Sequence, residues 1–132
     1  MATLIPTLSL TSDDATSDTL DFTVIDSLSI KAPSANLATI IADQTGANNI
    51  VVPLTGGTIT YFFCRHTGTT DGSTTTSQLV DVEETGDAAF ARLGPGEWMF
   101  LPFCHHAGNV GIQFQVNHAS NVQMEYAYWT KA

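Results

Sequence analysis

The sequence predicts an all-β protein: an antiparallel β-sandwich or jelly-roll-like domain of about eight to ten strands, spanning residues 1–132. Three observations carry that prediction. Apolar residues recur at every second position, the period of a half-buried strand, and almost nowhere at helical spacing. Thr, Gly and Asn interrupt these runs every eight to twelve residues or so, as in sandwiches. Only 13% of the residues are charged, about half the usual share, so the surface must be built largely from Thr, Ser, Asn and Gln. Thr is β-branched and packs well on a pleated sheet.

Along the chain, Leu4 to Leu10 alternates, with Leu8 and Leu10 against Thr7 and Ser9. Pro6 lacks a donor for a sheet ladder, which makes residues 1–10 an extended arm or an edge strand. Thr11 to Asp18 is a polar loop. Leu20 to Ile30 alternates again, but its phase slips between Ile25 and Leu28, which predicts a bulge near Asp26 and Ser27. Lys31 to Asn36 is a Pro-containing turn. Leu37 to Ala42 and Ile50 to Leu54 read as strands around a turn at residues 45–49. Gly56-Gly57 signals a hairpin into Thr58 to His66. Thr67 to Ser77, with Asp71-Gly72 and a Thr run, is expected to be an exposed, mobile loop. Gln78 to Val82 and Ala88 to Leu93 are short strands, and Gly94-Pro95-Gly96 turns into Glu97 to Phe103. Val110, Ile112, Phe114 and Val116 share one face against Gln113, Gln115 and Asn117. After a turn at Ala119-Ser120-Asn121, Val122, Met124, Tyr126 and Tyr128 line one side of the last strand.

The formal charge of −9, with Lys31, Arg65, Arg92 and Lys131 as the positive side chains, excludes some partners. Nucleic-acid binding draws on several cationic contacts to phosphate, which this chain cannot assemble. An anionic membrane is disfavoured for the same reason. No run approaches the roughly 18 apolar residues of a membrane helix. The opening MATLIPTLSL lacks a basic region and a long apolar core, so it is not a signal peptide. Folding in a reducing cytoplasm is the expectation, with Cys64 and Cys104 as thiols.

One constellation bears on chemistry. Residues two apart on a strand share a face, so Cys64 pairs in direction with His66 and Cys104 with His106. If those strand ends adjoin, Cys64, His66, Cys104 and His106 would form a tetrahedral zinc site. A Cys64–Cys104 disulfide is one alternative. Buried thiols beside polar histidines at a loop edge are the other, and on that reading no cofactor is expected. His105 and His106 suit a subunit boundary or a pH response. His118 continues the apolar parity of Val116 and reads as a core-edge histidine. Asp13, Asp14 and Asp18 lack the glycine-organised spacing of a calcium loop and read as a solvated acidic loop. Glu83 and Glu84 alternate faces, so they cannot act as paired carboxylates without an outside partner. No nucleophile elbow and no phosphate-cradling glycine loop is found, and no enzyme is expected.

Gly94-Pro95-Gly96-Glu97…Pro102…His106…Asn109 is superficially similar to the second motif of cupins. The match breaks at Cys104 and Ala107 and the first motif is absent, so no metal ligands carry over. A broader likeness rests on the opening Thr7-Leu8-Ser9-Leu10-Thr11-Ser12-Asp13-Asp14, which leads into Val24-Ile25-Asp26-Ser27-Leu28-Ser29-Ile30. It continues in Phe90-Ala91-Arg92-Leu93-Gly94-Pro95-Gly96-Glu97-Trp98-Met99-Phe100-Leu101-Pro102 and the closing Val122 to Trp129. Together these stretches resemble small β-sandwich virion proteins of tailed bacteriophages, the capsid decoration or cement proteins.

The resemblance implies a structural protein on the outer capsid surface, made in the host cytoplasm and assembled as a homotrimer. Its partners would be the major capsid protein and copies of itself. An acidic chain suits the outer face, away from the genome. Cohesion would come from aromatic contacts, with Trp98, Phe100, Phe103, Tyr126, Tyr128 and Trp129 as interface candidates. Ordinary core packing is the competing reading of each. A tail, neck or fibre-associated virion protein is the alternative function, and a cupin-like metal- or ligand-binding protein the second.

Overall fold

The computed structural model describes residues 2–31, 37–45, 49–52, 59–106, 108 and 111–132, and all regular structure in them is β-strand. The strands are β1 (Ala2–Leu4), β2 (Thr7–Ser12), β3 (Leu20–Ile25), β4 (Leu28–Ile30), β5 (Ala38–Ala42), β6 (Ile50–Val52), β7 (Ile59–His66), β8 (Val80–Glu84), β9 (Ala89–Leu93), β10 (Trp98–Cys104), β11 (Ile112–Val116) and β12 (Val122–Thr130).

The last eight form two four-stranded antiparallel sheets, ordered β10-β7-β12-β5 and β6-β11-β8-β9. The pairs β5·β12, β6·β11, β7·β10 and β8·β9 are successive rungs of one long hairpin with its apex between β8 and β9. Rolling that hairpin brings β12 against β7 and β11 against β8, closing the two sheets. This is jelly-roll topology, within the antiparallel sandwich class that the alternation predicts.

The core lies between the sheets. Phe62 and Cys64 of β7 and Val122 and Met124 of β12 meet Val80 and Val82 of β8 and Ile112, Phe114 and Val116 of β11, all buried. The Phe62 and Phe114 rings stand 6.3 Å apart across the interface. Every second residue faces in, so the sequence period of two is the sandwich itself.

The first four strands stand outside the roll as a two-stranded ribbon. Ala2 pairs with Ile30, Leu4 with Leu28, Thr7 with Ile25 and Ser12 with Leu20, one continuous register. The expected bulge at Asp26 and Ser27 is absent, because the register is the same on both sides of the break. Both strands are interrupted together beside Pro6, whose carbonyl still accepts the Asp26 N–H at 3.2 Å. Joined across that break, the twelve described strands become ten, within the expected number. The ribbon is anchored at its base, where Lys31 N–H donates to Thr130 O (2.9 Å) and Ala132 N–H to Ser29 O (3.1 Å).

Two local features position the rest. Gly94-Pro95-Gly96-Glu97 is a type II turn, closed by Glu97 N–H to Gly94 O at 3.1 Å with Gly96 at φ +82°. The segment from Thr67 to Ser77, expected to be mobile, is tied down. Gln123 N–H donates to Thr69 O (2.8 Å) and Thr76 N–H to Gly68 O (3.0 Å), so this loop is stapled to the start of β12. The hairpin signal at Gly56-Gly57, most of the turn at residues 31–36 and residues 46–48 lie outside the described residues.

Candidate functional site

The outer face of the β10-β7-β12 sheet is built of aromatic rows. Phe100 lies opposite Phe63, and Pro102 opposite Tyr61, which lies opposite Trp129. At one end of these rows Trp98 lies opposite Arg65, whose Nη1 stands 3.8 Å from Glu125 Oε2. The Tyr61 and Phe100 rings stack with their centroids 6.4 Å apart.

The ribbon presents Leu4, Leu8, Phe22, Val24 and Leu28 toward these rows, because even-numbered residues share one face of both its strands. Ribbon and sheet do not close on each other. They enclose an apolar cleft of about 650 Å³. At its mouth Phe22 is 46%, Val24 45% and Trp98 53% exposed, and Leu10 continues the apolar strip toward the ribbon tip at 45%. Among the described residues that line it, Asp26 is the one acidic or basic side chain.

A second constellation sits at an end of the sandwich. Val80, Val82 and Glu84 share the inward parity of β8, so Glu84 places a carboxylate at the margin of the core with 3% exposure. A carboxylate there needs strong partners. His106 N–H donates to Glu84 Oε1 at 2.7 Å, and His106 Nδ1 donates to Oε2 at 2.5 Å. That bond and the carboxylate charge raise the His106 pKa above its ordinary value. His105 Nδ1 lies 3.7 Å from Glu84 Oε1, and the burial of this imidazole lowers its pKa. Asp87 follows through a tight turn closed by Asp87 N–H to Glu84 O at 2.9 Å, with Gly86 at φ +88°. Its Oδ2 is 3.9 Å from His106 Nδ1.

Comparison with protein-family models, with curated proteins and with solved structures finds no match. Among the described residues no helix is long and apolar enough to cross a membrane.

The four-ligand set Cys64, His66, Cys104 and His106 is not assembled. Cys64 lies opposite Met99 and Cys104 opposite Ile59, five residues or about 17 Å apart along the strands. Cys64 and His66 face the core, whereas Cys104 is exposed at the other end of the sheet. Both cysteines are free thiols, which also removes the disulfide reading. Burial pushes the Cys64 thiol up to about 12. His66 uses both ring nitrogens, Nε2 donating to Gln78 O (2.9 Å) and Nδ1 accepting from Gly68 N–H (2.9 Å).

His118, expected at the core edge, is exposed in the turn after β11 because the strand ends at Val116. The Asp13, Asp14 and Asp18 loop is exposed, with the Asp14 and Ala15 N–H groups donating to Ser12 Oγ. The six aromatic candidates split by parity. Trp98, Phe100 and Trp129 line the cleft. Phe103, Tyr126 and Tyr128 turn inward and pack against the core, Phe103 also meeting Phe90 at 5.1 Å and His105 at 4.9 Å.

Asp87 has no place in the sequence reading, and Glu84 enters it only as one of a Glu83-Glu84 pair set aside for lack of an outside partner. The signal for Glu84 is present in hindsight: it continues the Val80, Val82 parity, and a carboxylate at an inward position asks for a partner. That partner lies 22 residues away and arrives only through the roll.

Proposed function

We propose that this protein is a structural, subunit-associating module of a virion, one that decorates and stabilises the outside of a phage capsid. The observation that carries the reading is the unfilled apolar cleft at the root of the ribbon. Contiguous exposed apolar surface of this kind marks an association site. Its occupant is a second copy of this chain. Leu10 continues toward the ribbon tip on the same face as Phe22 and Val24, which line the mouth of the cleft, so one copy offers both a projecting apolar strip and an apolar receptor. Copies with a net charge of −9 repel at long range, and the cleft adds little to that repulsion, with Asp26 the one acidic side chain among its described lining residues. Jelly-roll domains occur among capsid proteins, and also among lectins and cupins, so the fold alone does not choose. The resemblance of the opening and closing strands to cement proteins supports the capsid member of that set.

Two measurements test this reading together. Sedimentation of the purified chain should show a discrete oligomer, a trimer by the resemblance. Quantitative mass spectrometry of purified particles of the encoding virus should find it near parity with the shell subunit. A few dozen copies per particle would move it to the tail or neck. Absence from particles, with a strictly monomeric chain at high concentration, would overturn the proposal.

A further inference from the structure

We propose that Glu84, Asp87, His105 and His106 bind one divalent transition-metal ion of the zinc class, clamping the β8–β9 turn to the segment that follows β10.

Three observations point to it. The donor atoms of Glu84, Asp87 and His106 all lie within 4.8 Å of one another. Tetrahedral zinc, with bonds of about 2.0–2.1 Å, needs its ligand atoms about 3.4 Å apart. Asp87 and His106 have side chains 55% and 76% exposed, which leaves room for that small contraction. The cluster is also anchored through the backbone on both sides, by Asp87 N–H on Glu84 O and by His106 N–H on Glu84 Oε1.

The third observation points to a ligand independently of the acidic pair. The side chain of His105 is fully buried, and neither of its ring nitrogens has a hydrogen-bond partner among the described residues. Buried imidazole nitrogens are ordinarily satisfied. Here Nδ1 lies 3.7 Å from Glu84 Oε1, outside the group of donor atoms that lie within 4.8 Å of one another, so His105 joins the ion by a shift of its ring toward that carboxylate. Imidazole and carboxylate donors together suit zinc and its neighbours, whereas calcium and magnesium take oxygen ligands. As the ion enters, the proton that His106 Nδ1 now shares with Glu84 Oε2 leaves to solvent, because a ligand nitrogen must present its lone pair. The inference does not depend on the subunit-association reading, since none of the four residues lines the cleft.

The test uses the full chain, stripped with chelator and titrated with zinc chloride and, separately, cobalt chloride. One equivalent should bind saturably, with visible cobalt bands of a four-coordinate N/O site. Zinc at about 100 times its Kd should raise the melting temperature by about 5–10 °C. Asp87→Asn alters an exposed side chain, whereas His106→Ala also removes a donor to the buried Glu84 carboxylate, so its folding is checked by circular dichroism; each should weaken binding at least about tenfold. Glu84→Gln should abolish it, with circular dichroism reporting whether that variant folds. No saturable binding overturns the proposal. So does binding that survives His106→Ala and Asp87→Asn unchanged, or binding that disappears instead in Cys104→Ser, which would place the ion at the exposed thiol.

Discussion

The two outer faces of the sandwich are made by the same period-two rule and have opposite characters. On the β6-β11-β8-β9 sheet the outward residues are Asp81, Glu83, Arg92, Gln113 and Gln115, and they find partners within the chain. Arg92 Nε donates to Asp81 Oδ1 at 2.5 Å and Nη2 to Oδ2 at 3.0 Å, and the Asn117 amide donates to the same carboxylate. Gln113 Nε2 donates across the strands to Glu83 Oε1 at 2.5 Å. On the β10-β7-β12 sheet the outward residues are mainly aromatic, and the ribbon covers them incompletely. The difference teaches where a neighbour belongs. A face whose polar groups are mostly paired, with Gln113 Oε1 the buried exception, gains little by leaving water, whereas a half-covered aromatic face still has apolar area to remove from it.

The largest contrast separates the two sides of the aromatic sheet itself. Cys104 is exposed, whereas Cys64 is buried with its thiol pushed up to about 12. At pH 8 one thiol per chain should react promptly with a disulfide reagent. The other should react at least about 1000-fold more slowly, through opening of the core. Two fast thiols would mean that the β7 inner face is not sealed, and the aromatic face could then no longer be treated as the outside of a closed sandwich.

Next in size is the effect on association. Trp98→Ala should weaken self-association by about 2 kcal/mol or more, roughly 30-fold, as for an interfacial hot spot. Thermal stability of the subunit should change little, because the indole is 53% exposed. Arg92→Gln on the polar face should leave sedimentation unchanged. If the two variants exchange these outcomes, the assignment of the faces is reversed.

Smaller again is the polar face's own contribution. Asp81→Ala removes the acceptor of Arg92 and Asn117 and should cost about 1–2 kcal/mol in urea unfolding at neutral pH. The Arg92 guanidinium beside it holds the Asp81 carboxyl below its ordinary range. A lowered folded pKa gives stability that is present above the unfolded value of about 3.9 and lost as pH falls through the folded one. The gap between wild type and Asp81→Ala should therefore narrow in acid. A gap that stays constant down to pH about 2 would assign it to packing.

These contrasts were legible in the sequence to different depths. Alternation alone identified one face of each of the last two strands, and it paired Cys64 with His66 on one side of the strand that ends at His66. It failed for Cys104, because which face and which end a distant strand presents depends on register, a property of long-range pairing. The phase slip at Asp26 and Ser27 was visible, but a bulge and a matched break in two strands look alike until the partner is known. Glu84 was visible as a residue and invisible as a site for the same reason. The His105-His106 pair reaches it only because β8·β9 and β7·β10 are neighbouring rungs of one rolled hairpin.

The smallest effect concerns the loop that carries the chain from the aromatic sheet to the polar one. Asp71 Oδ1 accepts the N–H groups of Ser73 (2.9 Å) and Thr74 (2.8 Å), and Oδ2 accepts the Thr74 hydroxyl (3.0 Å). The two backbone bonds, Thr74 foremost, bring its pKa down to about 2. The sign is that of Asp81: the contribution is present above about pH 4 and disappears as pH falls toward 2. Because this carboxylate is fully solvated, Asp71→Ala should scarcely move the global unfolding midpoint at neutral pH. It should instead lower the hydrogen-exchange protection of the Ser73 and Thr74 amides, and acidifying the wild type from about pH 5 to about pH 2 should lower the same two protection factors. Unchanged protection in both experiments would leave the bond from Thr70 N–H to Thr74 O and the staple to Gln123 as what holds the loop. The crossing between the two faces would then be fixed by the sheet and not by the acidic side chain above it.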